Sequence, residues 1–132
     1  MSTAKDLRDG VRDALIAAGV ATTGQIFKSK MPATPDKVLV ITWYPVAANN
    51  TEGVQVRVRG EARSNVSAED WADDVKTALH GIHDRVWGGT QLALLAYQSG
   101  ARMGFDGSDR DEVVLNFYAT TSAPSTSLVD VI

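Results

Sequence analysis

Three clusters of side chains in this sequence have types and spacing that could support chemistry. His80 and His83 stand three residues apart with Asp84 beside them, a spacing that sets two imidazoles on one side of a helix, as in some zinc sites. No third ligand is evident, and the pair reads as exposed helix histidines. Asp106, Asp109, Asp111 and Glu112 make an acidic loop. Ser108 and Arg110 stand where an EF-hand needs its third and fifth ligands, so a solvated turn is the better reading. Glu69, Asp70, Asp73 and Asp74 crowd the first turns of an expected helix, where negative charge complements the helix dipole without any acid–base role. No serine sits in a nucleophile-elbow sequence and no glycine-rich phosphate loop occurs. The chain has no cysteine, which excludes disulfides, thiolate catalysis and Cys-ligated zinc. The expectation is a protein that is not an enzyme and uses no cofactor and no metal.

The elements that position these groups follow from periodicity. Leu7, Val11, Ala14, Leu15 and Ala18 fall on one stripe of a helix from about Ala4 to Ala18, with Asp6, Arg8, Asp9, Arg12 and Asp13 on its wet side. Thr3 with Asp6 suggests a capping box, and Gly19 a left-handed stop. Residues 20–36 read as a loop with a short strand near Gln25 to Lys28. Lys37 to Tyr44 is apolar on both faces, as in an interior strand, and pairs with Val54 to Ala62 across a turn-forming connection. Ser67 is the expected N-cap of a second helix from about Ala68 to Trp87, on which Trp71, Val75, Ala78, Leu79, Ile82 and Val86 keep helical spacing up to Gly88-Gly89. Strands over 91–98 and 112–121 complete the fold, separated by a turn over 104–110. The fold class predicted is α+β: a mainly antiparallel four-stranded sheet, five-stranded if the short segment pairs, with two helices packed on one face. Residues 1–123 form one domain and 124–132 a flexible C-terminal tail.

Bulk composition agrees. The 132 residues are 44% hydrophobic and 22% charged, suited to one self-supporting core. Thirteen Lys and Arg against sixteen Asp and Glu leave a charge of −3, which argues against a general nucleic-acid binder. Neither a secretory leader nor an apolar run of about 20 residues is evident, so a soluble protein made inside the cell is expected.

Two helices of about 10 Å diameter roof only one face of a four-stranded sheet about 19 Å wide. Val54, Val56, Val58, Val113, Leu115, Phe117, Leu92 and Leu94 make the set expected beneath them, and Gln55, Arg57, Arg59, Asn116, Tyr118, Tyr97 and Leu95 the opposite set. That second face is either a subunit interface, which favours such a mixture of arginines, amide and aromatics, or a solvated sheet face. Trp87 is the one tryptophan expected to be free for a partner. Arg57, Arg59 and Arg63 could track phosphates, but the overall acidity favours ion pairs with an acidic patch on a neighbouring copy.

The phrase Val54-Gln-Val-Arg-Val-Arg-Gly60, the capped helix after it, and the Asp109-Arg110 turn leading into Val113-Val-Leu-Asn-Phe117 together resemble the minor capsid or tail terminator proteins of long-tailed bacteriophages, over roughly Leu7 to Ala123. The resemblance implies a structural virion protein. Its copies would form a ring, a hexamer, that ends the tail tube and joins it to the head neck, after assembly in the host cytoplasm. Its partners would be further copies of itself, the tail tube protein and a head-completion or neck protein, with DNA only in transit through the channel and no membrane. The expected contact residues are Arg57, Arg59 and Arg63 against Glu69, Asp70, Asp73 or Asp74 of the next copy, with the Asp109-Arg110 turn as a further interface element. A head-completion or connector role, and a small-ligand-binding α+β protein, are the alternative readings.

Overall fold

Val54, Val56 and Val58 are completely buried, and the rest of the architecture is arranged around that row. The computed structural model describes residues 3–28, 30–64 and 66–122; the expected tail over 124–132 lies outside them. In chain order these form α1 (Thr3–Ala17), a 3-10 turn (Thr23–Gln25), β1 (Ile26–Phe27), β2 (Val38–Pro45), β3 (Thr51–Ala62), α2 (Ser67–Leu79), β4 (His83–Trp87), β5 (Thr90–Phe105) and β6 (Arg110–Ser122). Leu7, Val11 and Leu15 of α1 and Trp71, Val75 and Leu79 of α2 press on one side of the sheet against the three valines, Leu115 and Phe117. Each such fully buried aliphatic or aromatic side chain contributes roughly 1.5–3 kcal/mol. The Trp71 indole N–H donates to the Val20 carbonyl at 2.8 Å, so the one polar atom of that large ring is satisfied inside the core.

The strand count and pairing correct the sequence reading. One sheet of six strands runs in the order β1-β2-β3-β6-β5-β4 and curls into a half-barrel. It is mixed rather than mainly antiparallel four- or five-stranded, because β1 pairs parallel with β2 while all other neighbours are antiparallel. Both helices do lie on one face.

Most of the correction comes from one segment. The second helix ends at Leu79, not Trp87. His80 leaves helical geometry with ψ 125° and Gly81 takes φ +91°. The chain then returns as β4, and Gly88-Gly89 is the tight connection between the paired residues Trp87 and Thr90 rather than a helix stop. Ile82 and Val86 keep a spacing of four, which a helix and a strand–turn both tolerate over so short a run. Ser67 does not cap α2 in the expected way. Its hydroxyl accepts from the Glu61 N–H at 3.0 Å, while the Ser64 hydroxyl receives the Ser67 N–H at 3.1 Å.

β5 also departs from simple alternation. Register shifts between Leu92 and Leu94, Tyr97 and Ser99, and Arg102 and Gly104 each add a residue and turn the following side chains over. Leu95 is therefore fully buried and Leu94 is 42% exposed, the reverse of the expected assignment. Tyr97 likewise turns inward, edge-on to Phe117 with ring centres 5.8 Å apart.

α1 and the β4–β5 hairpin are fastened to each other at two points. Asp6, expected on the wet side, is buried and accepts the Gly89 N–H at 3.1 Å and the Thr90 hydroxyl at 2.8 Å. Trp87 lies flat on Gly10, where a Cβ would come within 2.0 Å of the indole, so only glycine admits the ring. Trp87 is thus committed to an internal contact and is not the free tryptophan expected.

Candidate assembly surface

The sheet face turned away from the helices is divided in two. At one end the loop over 30–37 lies across β3 and β6. Arg59 is 2% exposed; its Nε donates to the Asp36 carbonyl at 2.8 Å and its Nη2 to the Pro35 carbonyl at 2.7 Å. Desolvation lowers the Arg59 pKa from its ordinary value, with the nearby Arg110 charge acting in the same direction and Asp106, Glu112 and Asp36 opposing. Arg110 donates to the Ala33 carbonyl, ion-pairs with Asp106 at 3.0 Å and reaches Asp36 at 3.4 Å. Val38, Val40 and Val114 are buried on this side too, sealing a small second apolar layer.

At the other end the face is open. Gln55 donates to Asn116 at 3.1 Å and Asn116 to the Ser99 hydroxyl at 3.3 Å, forming an amide ladder across β3, β6 and β5. With Tyr44, Gln98 and Tyr118 these residues line a shallow hollow of about 170 Å³. Burial raises the Tyr44 pKa above its ordinary value, and the neighbouring Tyr118 adds to the shift. Arg57 marks the boundary, joined to Glu112 at 2.6 Å.

The acidic turn is built around Asp106. Partial burial pushes its carboxyl up, but hydrogen bonds from the Arg110 and Ser108 N–H groups and the Arg110 guanidinium outweigh this and hold its pKa below the usual range. Asp109 takes φ +60° at the exposed tip, and its carbonyl receives the Arg63 N–H at 2.7 Å. His80 and His83 belong to different elements, the end of α2 and β4, and among the described residues no three His, Cys, Asp or Glu side chains are placed to hold a metal.

Of the expected contact residues, Arg63, Asp70, Asp73, Asp74 and Asp109 are exposed and form no side-chain ion pair among the described residues. Glu69 is tied to Arg102 at 2.6 Å, and Arg102 also pairs with the fully buried Asp111. Arg57, Arg59 and Arg110 are held within their own chain. The sequence marks residues 20–36 as a loop, but its hold on Arg59 and Arg110 around Pro35 was not anticipated. Its signal was present in Pro32 and Pro35, which commit that stretch to an extended loop with carbonyls left to satisfy.

Both flanks of the sheet are incompletely covered. β1 pairs with β2 only at Leu39 and Val40. β4 pairs with β5 no further than Leu94. Leu95 then exchanges hydrogen bonds with Gly81 and Ile82, and the Tyr97 N–H donates to His80 Nδ1 at 3.0 Å. Past Tyr97 no described backbone group pairs with the outer edge of β5. Beside that edge, α2 and the sheet enclose a groove of about 460 Å³, with Ala72, Val113 and Leu115 among its apolar lining and Asp70, Asp73 and Lys76 on its rim.

The described residues thus make an α+β sheet with incompletely paired flanks and exposed, unpaired charged side chains. The chain belongs to the bacteriophage tail terminator protein family, whose model matches residues 14–122. It is a structural protein of the virion, located in the tail region. Its fold is similar to that of a chain in the virion of the native gene transfer agent (GTA) particle, with a TM-score of 0.69 and 20% identity, covering 89% of this chain and 95% of that one. No curated protein matches the chain.

Proposed function

We propose that copies of this chain close into a ring of six that ends the tail tube and presents a surface to the head-completion proteins of the neck. The observation that carries this reading is the pair of unlike open flanks. A cyclic assembly needs a heterologous contact between two different patches of each copy, and an incompletely covered β2 on one side with an incompletely covered β5 on the other supplies two. Charge complements shape: Arg63 of one copy meets Asp70, Asp73 or Asp74 of the next, near Asp109. Arg59 and Arg110 serve the contact from beneath by fixing the loop around Pro35, and Arg57 and Glu69 act through their intrachain pairs. DNA passes the central channel in transit, and a net charge of −3 suits a wall that does not retain phosphates. The role is architectural, with no turnover.

Reversing one exposed charge tests the pairing without disturbing the fold. Arg63→Glu should leave monomer stability within about 0.5 kcal/mol, as expected for a surface substitution. Negative-stain images should then show annular particles for the unaltered protein on tail tubes and none for the variant. Unchanged rings in Arg63→Glu would refute the charge pairing. Unaltered protein that never forms an annulus, alone or on tubes, would refute the ring.

A further inference from the structure

The outer edge of β5 beyond Tyr97 is unusual for a protein that works alone. Long free edges are normally blunted by lysine, proline or an inward charge, because their unpaired N–H and C=O groups recruit other strands. Here the edge carries Ser99, Gly100 and Ala101, small side chains that let another backbone approach. The charged residue that follows them on the strand, Arg102, is drawn across to Glu69 and Asp111. The groove under α2 lies directly alongside, with an apolar floor and no segment of the described chain in it.

The sequence contains one apolar phrase with no place in the described core, Leu128-Val-Asp-Val-Ile132 at the C-terminus. It is rich in β-branched residues, and in an extended conformation Val129 and Val131 share one side while Asp130 faces the other. We propose that Leu128–Ile132 of one copy adds as an extra strand to the β5 edge of a neighbouring copy, with Val129 and Val131 over Ala72 and Leu115 and Asp130 turned away from Asp73. This is strand addition to an exposed sheet edge, with backbone hydrogen bonds supplying affinity and the groove supplying selection.

Chain geometry favours the neighbour as the source. Ser122 pairs with Gln91, at the end of β5 farthest from the groove. Six residues carry the chain from Ser122 to Leu128, at most about 20 Å. Gly100 lies opposite Leu115, seven residues along β6 from Ser122, about 23 Å. A copy's own Val131, nine residues and at most about 32 Å from Ser122, attains that level only when nearly fully stretched, because its path must also go around β5 and β4; a neighbour's segment makes no such detour. The inference needs a second copy but not a closed ring, so it is tested apart from the ring.

The absence of cysteine makes the test direct. Full-length Ala101→Cys and full-length Asp130→Cys are mixed and oxidised gently, because Ala101 pairs with Val114 and so lies on the face to which Asp130 is turned. The expected product is a disulfide-linked heterodimer, seen as a shift from 14.1 kDa to twice that mass on a non-reducing gel. Thr23→Cys, on the 3-10 turn before β1, replaces Ala101→Cys as the control and should give only background dimer. Equal yields from the two mixtures would overturn the proposal. A double variant, Ala101→Cys with Asp130→Cys, that closes only within its own chain would overturn the assignment to the neighbour. Rings on tail tubes without the cross-link would sink the strand addition and leave the ring intact.

Discussion

The two ends of the helix-free sheet face are made by the same strands with the same alternation, yet one is sealed and the other open. At the sealed end Arg59 and Arg110 spend their guanidinium donors on the Ala33, Pro35 and Asp36 carbonyls and fasten a loop over Val38, Val40 and Val114. At the open end Gln55, Asn116 and Tyr118 present polar atoms and ring faces to the outside, with a hollow between them. Alternation identifies a face but not its cover. An arginine on a strand can be a hand held out to a partner or a pin through a loop, and what separates the two is whether proline-bounded backbone elsewhere has carbonyls in need of donors.

The sharpest way to break the comparison is to remove a pin. Arg59→Leu leaves the Pro35 and Asp36 carbonyls without their donors and should cost about 3 kcal/mol, against less than about 1 kcal/mol for Tyr118→Ala at the open end. Urea unfolding of the two variants would measure the contrast, and similar midpoints would mean that the sealed end is no more consolidated than the open one.

A smaller effect is expected within the open end. Gly53 lies beneath the Tyr44 ring, and a Cβ there would come within 2.3 Å of it. Gly53→Ala should swing that ring outward at a cost of about 1–2 kcal/mol. Released from burial and from Tyr118, the Tyr44 phenol should titrate closer to its ordinary value, which ultraviolet titration of the three tyrosines would detect. An unchanged titration curve would mean the ring stays in place.

The smallest effect lies outside this face, in α1. Hydrogen bonds from Lys28 and then Lys5 hold the Asp9 carboxyl at about 2 instead of 3.8. A depressed folded-state pKa gives stability that is present above the unfolded value and lost as pH falls through the folded one, here from about 4 down to about 2. These lysines are substantially exposed, so the amplitude should stay below about 1 kcal/mol and shrink in salt. Asp9→Asn should flatten that part of the stability–pH profile, and an unaltered slope would assign the acid sensitivity to other carboxylates.

The legible parts of this fold were those where one periodicity dominates. Leu7, Val11 and Leu15 mark α1, and the valines of β3 mark a half-buried strand, so both elements follow from spacing. The reading failed where two geometries share a spacing. Ile82 and Val86 satisfy a helix as well as they satisfy the segment leading into β4, and Gly88-Gly89 ends a helix or turns a hairpin equally well. Leu94 and Leu95 were exchanged because a bulge adds a residue that no local composition announces. The family likeness was legible because it rests on the order of several phrases, not on the boundary of any one. The individual contact residues were less so: exposure decides which charges are available, and of two arginines four residues apart, Arg59 lies within β3 beneath the loop around Pro35 while Arg63 stands past the strand's end with φ +61° and is exposed.

The clasp formed by Asp6, Gly89 and Thr90 gives the molecule a built-in gauge. The Gly89 amide proton is held by a carboxylate on another element, so its exchange with solvent requires the first helix and this hairpin to part. Its lifetime in heavy water would register, at a single backbone site, how often helix and hairpin come apart.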